Sequence, residues 1–169
     1  MLESTMLHVL DVGANYWSLW TETQNLARFE QRFPRGFRQL RQKMGYRIRP
    51  SWIWQRKRYG TNEIIVGLVN DGVAGVPGIL RLSLTAPDGA VVCSGGLDAG
   101  HPFGGRTRQA GLLLPASLRE GTLHLKAELE SKNGVRRAVR WACEQPLESD
   151  GSFPIHLKPW DDPDWRKNV

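Results

Sequence analysis

Cysteine is scarce in this chain, with two in 169 residues. Cys93 and Cys143 stand far apart and belong to no CxxC pair, which argues against a zinc site. Each sits in an apolar strand pattern, where cysteine behaves as a small hydrophobe. Two buried thiols are expected, with a disulfide between strands as the alternative. Long hydrophobic runs are also missing. Nothing approaches the ~18–20 apolar residues of a membrane span, so no membrane partner is expected. The opening MLESTMLHVLDVG has no positive n-region and its first charge is acidic, unlike a signal peptide; the compartment is left open. No GxSxG, HExxH or EF-hand pattern occurs. The glycine-rich GGLDAGHPFGG (95–105) lacks a GK[ST] ending and no helix signal follows it, so it is not a phosphate cradle. No cofactor, metal set or catalytic group is expected from these residues. The length also excludes a complete eight-fold barrel, which takes ~250 residues.

Acids are thin in one region. Residues 28–58 hold eleven Lys or Arg against the single acid Glu30, a net of +10, while the rest carries twelve bases and sixteen acids, a net of −4. The overall +6 is therefore the property of one segment and not of the whole chain. Cations interleaved with Tyr46, Trp52, Trp54 and Tyr59 are the ingredients of a single-strand nucleic-acid surface. Two readings oppose it. The arginines fall on the solvent side of an amphipathic helix, and Trp52 and Trp54 share one face of a strand, where they are expected to fill the core. Nucleic acid is not the expected partner.

The periodicity changes once along the chain. Residues 7–20, LHVLDVGANYWSLW, read as an apolar approach and a buried strand. Leu26, Phe29, Phe33, Phe37, Leu40 and Met44 then recur at helical spacing. Thr23 or Asn25 is the candidate N-cap and Gly45 the C′ glycine. Pro34 and Gly36 should break this stretch into two helices. From Tyr46 the pattern alternates instead, predicting strands over 46–54 (an edge strand, because it contains Pro50), 63–69, 78–85, 90–96, 107–114, 121–130, 135–144 and 153–157. Leu80, Leu82 and Leu84 should face inward and Arg81, Ser83 and Thr85 outward. Pro87-Asp88-Gly89 is a turn, and Asn133-Gly134 a two-residue hairpin turn. The expected fold is mainly β: an antiparallel β-sandwich of immunoglobulin-like size, preceded by one strand and an amphipathic, kinked helix. The expected organisation is a terminal β/α unit of an incomplete barrel over 1–45, a sandwich over 46–158, and a polar tail over 159–169.

Two places suggest chemistry. Trp17, Trp20 and Glu22 lie where a barrel strand would run into its C-terminal loop, the end that faces the active site in barrel enzymes. Tryptophan can stack there on a sugar ring and glutamate can bond hydroxyls; alternatively the tryptophans pack on the helix and Glu22 is a solvated loop acid. One carboxylate is not a glycosidase, which needs a positioned pair. Asp98 and His101 could bind a sugar hydroxyl or supply two metal ligands, or belong to a loop whose glycines hold unusual backbone angles.

The segments GANYWSLWTE, MGYRIRPSWIW, GLVNDGVAGVPGILRLSL and GGLDAGHPFGG resemble the C-terminal part of glycoside-hydrolase-like bacterial proteins, in which a (β/α)₈ barrel is followed by a β-sandwich. The resemblance spans most of the chain. It implies that residues 7 to ~44 form the eighth barrel strand and helix, that Trp17, Trp20 and Glu22 line a sugar site, and that the catalytic acid and nucleophile belong to earlier strands. On that footing the partners would be carbohydrate and the rest of the barrel. The alternative is a stand-alone β-sandwich that binds glycan or protein.

Overall fold

The computed structural model describes residues 3–18, 22–98 and 107–159. Among these residues are three helices, α1 (Glu3–Asp11), α2 (Thr23–Arg32) and α3 (Pro34–Lys43), followed by eight strands. The strands are β1 (Ile48–Arg58), β2 (Thr61–Asn70), β3 (Ile79–Thr85), β4 (Val91–Asp98), β5 (Arg108–Leu113), β6 (Gly121–Glu130), β7 (Arg136–Ala138) and β8 (Phe153–Leu157). All pairings are antiparallel. One sheet has the order β1-β2-β5; the other runs β4-β3-β6, with β7 and β8 both pairing with β6. The two sheets enclose one apolar core, to which Ile64, Val66, Leu82, Leu84, Leu123 and Leu125 contribute fully buried side chains. This is the mainly-β, sandwich-like architecture that the alternating segments predict.

The strand expected within residues 7–20 is not formed by the described part of that segment. Residues 3–11 are helical, and 12–18 are irregular. Met6, Val9 and Leu10 recur at three- and four-residue intervals, the helical period, and all three join an apolar cluster with Leu26, Phe29, Phe33, Phe37, Leu40 and Met44. The stripe on α2 and α3 is thus covered by α1, and the helices form a small core of their own beside the sandwich core. Pro34 begins α3 as expected of a proline at N1. Gly36 does not break the helix; it lies inside α3, where a Cβ would sit 2.7 Å from Met6 Sδ and 3.1 Å from Glu3 Cγ. Its smallness admits α1. Neither Thr23 nor Asn25 caps α2, whose N-cap position is Glu22 without a side-chain cap bond. The N-terminus of α3 is capped from a distance: the Gly36 N–H donates to Glu3 Oε1 at 2.9 Å, satisfying a donor that Phe33 at the N-cap position cannot.

The helical layer joins the sandwich through main-chain groups. Met44 ends α3 and Gly45 follows at φ +79°, as a C′ glycine should. The segment GLVNDGVAGVP then supplies its counterpart. Val73 N–H donates to the Lys43 carbonyl, Ala74 N–H to that of Gly45, and Asp71 N–H to that of Arg47. Buried Asn70 accepts from the N–H groups of Arg47 and Gly72 and donates to the Ala74 carbonyl. Gly72 has no room for a Cβ, which would meet the Gly45 carbonyl.

Three strand expectations change in detail. Leu80, Leu82 and Leu84 do face the core, but Thr85 is also buried, because the pairing with β4 shifts register between Leu84 and Thr85. The strand expected over 135–144 pairs only at 136–138. Beyond it the chain crosses to the other sheet, with Val139 N–H on the Ala127 carbonyl and Ala142 N–H on that of Ile48. Asn133-Gly134 belongs to a three-residue loop closed by Ser131 and Val135. The two-residue turn occurs at Tyr59-Gly60, both at positive φ (+51° and +80°), the type I′ signature.

Candidate functional site

The site begins with an irregularity in β1. Up to Pro50 the strand pairs Ile48 with Asn70 and Pro50 with Leu68; after it, Trp52 stands opposite Gly67 and Trp54 opposite Ile65. Ser51 is the extra residue of a bulge, and an extra residue exchanges the faces of everything that follows. Ile48 faces the core, and beyond the bulge Ile53 and Gln55 do so instead. Trp52 and Trp54 therefore point outward, which corrects the expectation that they fill the core. Strict alternation from Ile48 places them inside; the Pro50-Ser51 step was the available sign that alternation fails there.

On the outer face the two indoles lie 4.8 Å apart between ring centroids, tilted by 38°. Gly67 opposite them has no side chain, and a Cβ there would collide with the ring fusion of Trp52. Trp52 thus lies down across β2, while Trp54 is 55 % exposed. Gly111 and Gln109, both exposed, face the same side from β5, opposite Ile65 and Gly67. Leu113 continues this strip opposite Glu63. The result is a shallow aromatic platform on a sheet face against which no other described helix or strand packs.

A charged border follows one step along β1. Arg56 pairs with Glu63 across the strands. Arg56 Nε donates to Glu63 Oε2 at 2.5 Å, and Arg58 Nη1 to Oε1 at 2.9 Å. The Glu63 side chain is 3 % exposed, whereas those of Arg56 and Arg58 are 51 % and 47 % exposed. Burial pushes the Glu63 carboxyl up, but the hydrogen bonds and charges of the two guanidiniums outweigh it, and the pKa lies below its ordinary 4.5. With both oxygens engaged and the ionised form favoured, Glu63 is a poor proton donor and suits the positioning of its arginines. Arg58 also stacks on Tyr59, 5.2 Å from guanidinium carbon to ring centroid. Tyr59 is 86 % exposed at the hairpin tip, in a left-handed conformation that non-glycine residues seldom adopt.

Beneath the platform, Gln55 and Asn62 are buried polar groups on the core side. The Gln55 amide donates to Asn62 Oδ1 at 3.0 Å and to the Lys158 carbonyl at 2.8 Å, and accepts the Lys158 N–H at 3.0 Å. Asn62 donates to the Leu118 carbonyl. These bonds tie β1 to the segment just past β8. A groove of about 270 Å³ opens beside them between the two strands, lined by Ser51, Trp52, Phe153, Ile155 and His156 among others; Trp52 borders both groove and platform.

Of the residues singled out in the sequence, Trp17 and Glu22 belong to the helical layer. Trp17 is half-buried against the helical cluster. Glu22 is exposed at the start of α2. Asp98 ends β4, its backbone opposite Ile79. Trp20 and His101 lie outside the described residues, as does the side chain of Asp98. Cys93 and Cys143 are free, half-buried thiols and not a disulfide; burial pushes the Cys93 thiol up to about 11, far from a reactive thiolate. The arginines of α2 and α3 are on the solvent side, as their spacing predicts. Among the described residues no helix is long and apolar enough to cross a membrane.

No protein-family model matches the chain, and no curated protein matches it either.

Proposed function

We propose that this chain is the C-terminal β-sandwich region of a glycoside-hydrolase-like protein, not catalytic by itself, and that it holds carbohydrate on the Trp52–Trp54 platform. The single observation that carries the glycan reading is the pair of indoles on the outer face over Gly67, Trp52 half-buried and Trp54 exposed. A pyranose ring presents a face of C–H groups that packs on an indole, while its hydroxyls remain for polar neighbours; tryptophan suits such half-wet contacts. Arg56, Arg58 and Gln109 are polar groups within the same strip. A large exposed aromatic surface rimmed by polar residues is the usual form of an interaction site. The tie to a hydrolase-like parent is supported by the resemblance of the helix–sandwich junction, whose Gly45, Asn70 and Gly72 have defined tasks in joining the two layers.

Titration with a panel of soluble oligosaccharides, followed by calorimetry and tryptophan emission, tests this. Binding to at least one glycan, lost by tenfold or more in Trp54→Ala with the fold intact, is the expected outcome, a tenfold loss being about 1.4 kcal/mol. Absence of binding across the panel, or indifference to Trp54, overturns it.

The stand-alone module draws its own support from the helical stripe, which α1 covers instead of leaving it open to missing barrel strands. Chromatography with light scattering separates the two. Self-association through residues 7–44 favours a fragment of a larger fold; a monomer with one cooperative unfolding transition favours the module.

A further inference from the structure

We infer that the platform is selective for acidic sugar chains, and that the carboxylate of a uronate residue is held by Arg56 and Arg58. This rests on the glycan reading above and names the ligand class of the same site. Residues two apart on a strand are about 7 Å apart, so Trp52, Trp54, Arg56 and Arg58 form a line along the outer face: two indoles, then two guanidiniums, then Tyr59 at the tip. A ligand seated on Trp54 and extended along β1 meets the arginines next. The only carboxylate of the three strands on that line is Glu63, and it faces two guanidiniums, so the border carries one net positive charge. Glu63 is buried and the guanidiniums are half exposed. The negative charge is thus withdrawn from the surface and the positive charge is presented at it. Glu63 also holds the two arginines in place before a ligand arrives, which lowers the ordering cost of binding. Guanidiniums are the side chains best matched to a carboxylate in two-point contact. The strain at Tyr59 fits the same line: the backbone keeps an exposed aromatic ring beside Arg58 in a conformation that a glycine would adopt freely.

A single-stranded nucleic acid is the less favoured polyanion. Such ligands need a groove of cations that follows the backbone, whereas this surface is shallow and carries two arginines that share one acid.

The experiment compares three probes of similar length on the full chain: a neutral oligosaccharide, an oligouronate and single-stranded DNA. The expected result is oligouronate binding about tenfold tighter than the neutral chain at low salt, as for a charge-assisted contact. That advantage should fade toward ~0.5 M NaCl, where screening shortens to a few Å. Arg58→Gln, which leaves Arg56 on Glu63, should abolish the advantage, bringing the oligouronate to the affinity of the neutral chain; the salt series on the unaltered protein reports the same interaction without any substitution. Equal affinity for neutral and acidic chains, with both lost in Trp54→Ala, overturns the uronate inference and leaves the glycan reading standing. No binding of either sugar overturns both. DNA binding as tight as the oligouronate overturns the selectivity in favour of a general polyanion surface.

Discussion

Any side chain at position 67 would occupy the space that the Trp52 ring fusion already fills, and this single glycine decides how the indole lies. Gly67→Val should lift Trp52 from β2, shift the tryptophan emission and weaken sugar binding. It should also cost about 1–3 kcal/mol of stability, as overpacking commonly does, measurable by urea denaturation. An unchanged emission spectrum with full stability would show that Trp52 does not depend on Gly67. Glu63 works by the same close fit: a carboxyl that is nearly inaccessible is tolerated because each oxygen receives a guanidinium. Tyr59 is the opposite case, an exposed ring held by a backbone that prefers glycine.

Among the elements, α3 depends on a carboxylate supplied by α1. Glu3→Ala removes the acceptor of the Gly36 N–H, and caps of this kind are worth ~1 kcal/mol. The expected result is a loss of that size, with faster amide exchange at the start of α3 as the local readout; unchanged exchange there would rule the cap out. The same elements explain which parts of the fold were legible in the residues. GTLHLKAELE alternates without interruption and matches β6 at both ends, with Leu123, Leu125, Ala127 and Leu129 buried. The helical stripe and its division at Pro34 were equally plain. By contrast, β1 reverses its faces at Ser51, and period-two counting treats that extra residue like any other. That one residue conceals the platform, because unbroken alternation puts both tryptophans on the core side. The expectation of an apolar approach and strand over 7–20 meets α1 instead at its start, because a short run with Met6, Val9 and Leu10 fits either period. Gly36 carries two meanings, helix breaker or close packing, and only its neighbour Met6 distinguishes them.

For the whole molecule, charge sets the behaviour in acid. Glu63, Glu130 and Asp150 all have pKa values below the ordinary carboxyl range: Glu63 through Arg56 and Arg58 against the cost of burial, Glu130 through Arg81 first, Asp150 through Lys126 first. Each binds protons less tightly folded than unfolded. Their stabilisation is therefore complete above the unfolded values near 4.5 and 3.8 and is lost as pH falls through the lower folded ones. Thermal melts should be flat in this respect from pH 7 to about 5 and decline steeply below pH 4. Glu63→Gln should be less stable at pH 7 and should flatten part of that decline; a parallel curve would mean that Glu63 does not contribute. The layers themselves meet through the carbonyls of Lys43, Gly45 and Arg47, so their mutual placement is fixed by backbone geometry and tolerates changes of most side chains nearby. At the opposite border, the Gln55 amide gives Lys158 both a donor and an acceptor, as another peptide group would. An incoming strand from a neighbouring molecule finds those two positions already taken. Two main-chain groups just past β8 are thereby satisfied from within the molecule and closed to strand-to-strand pairing between copies.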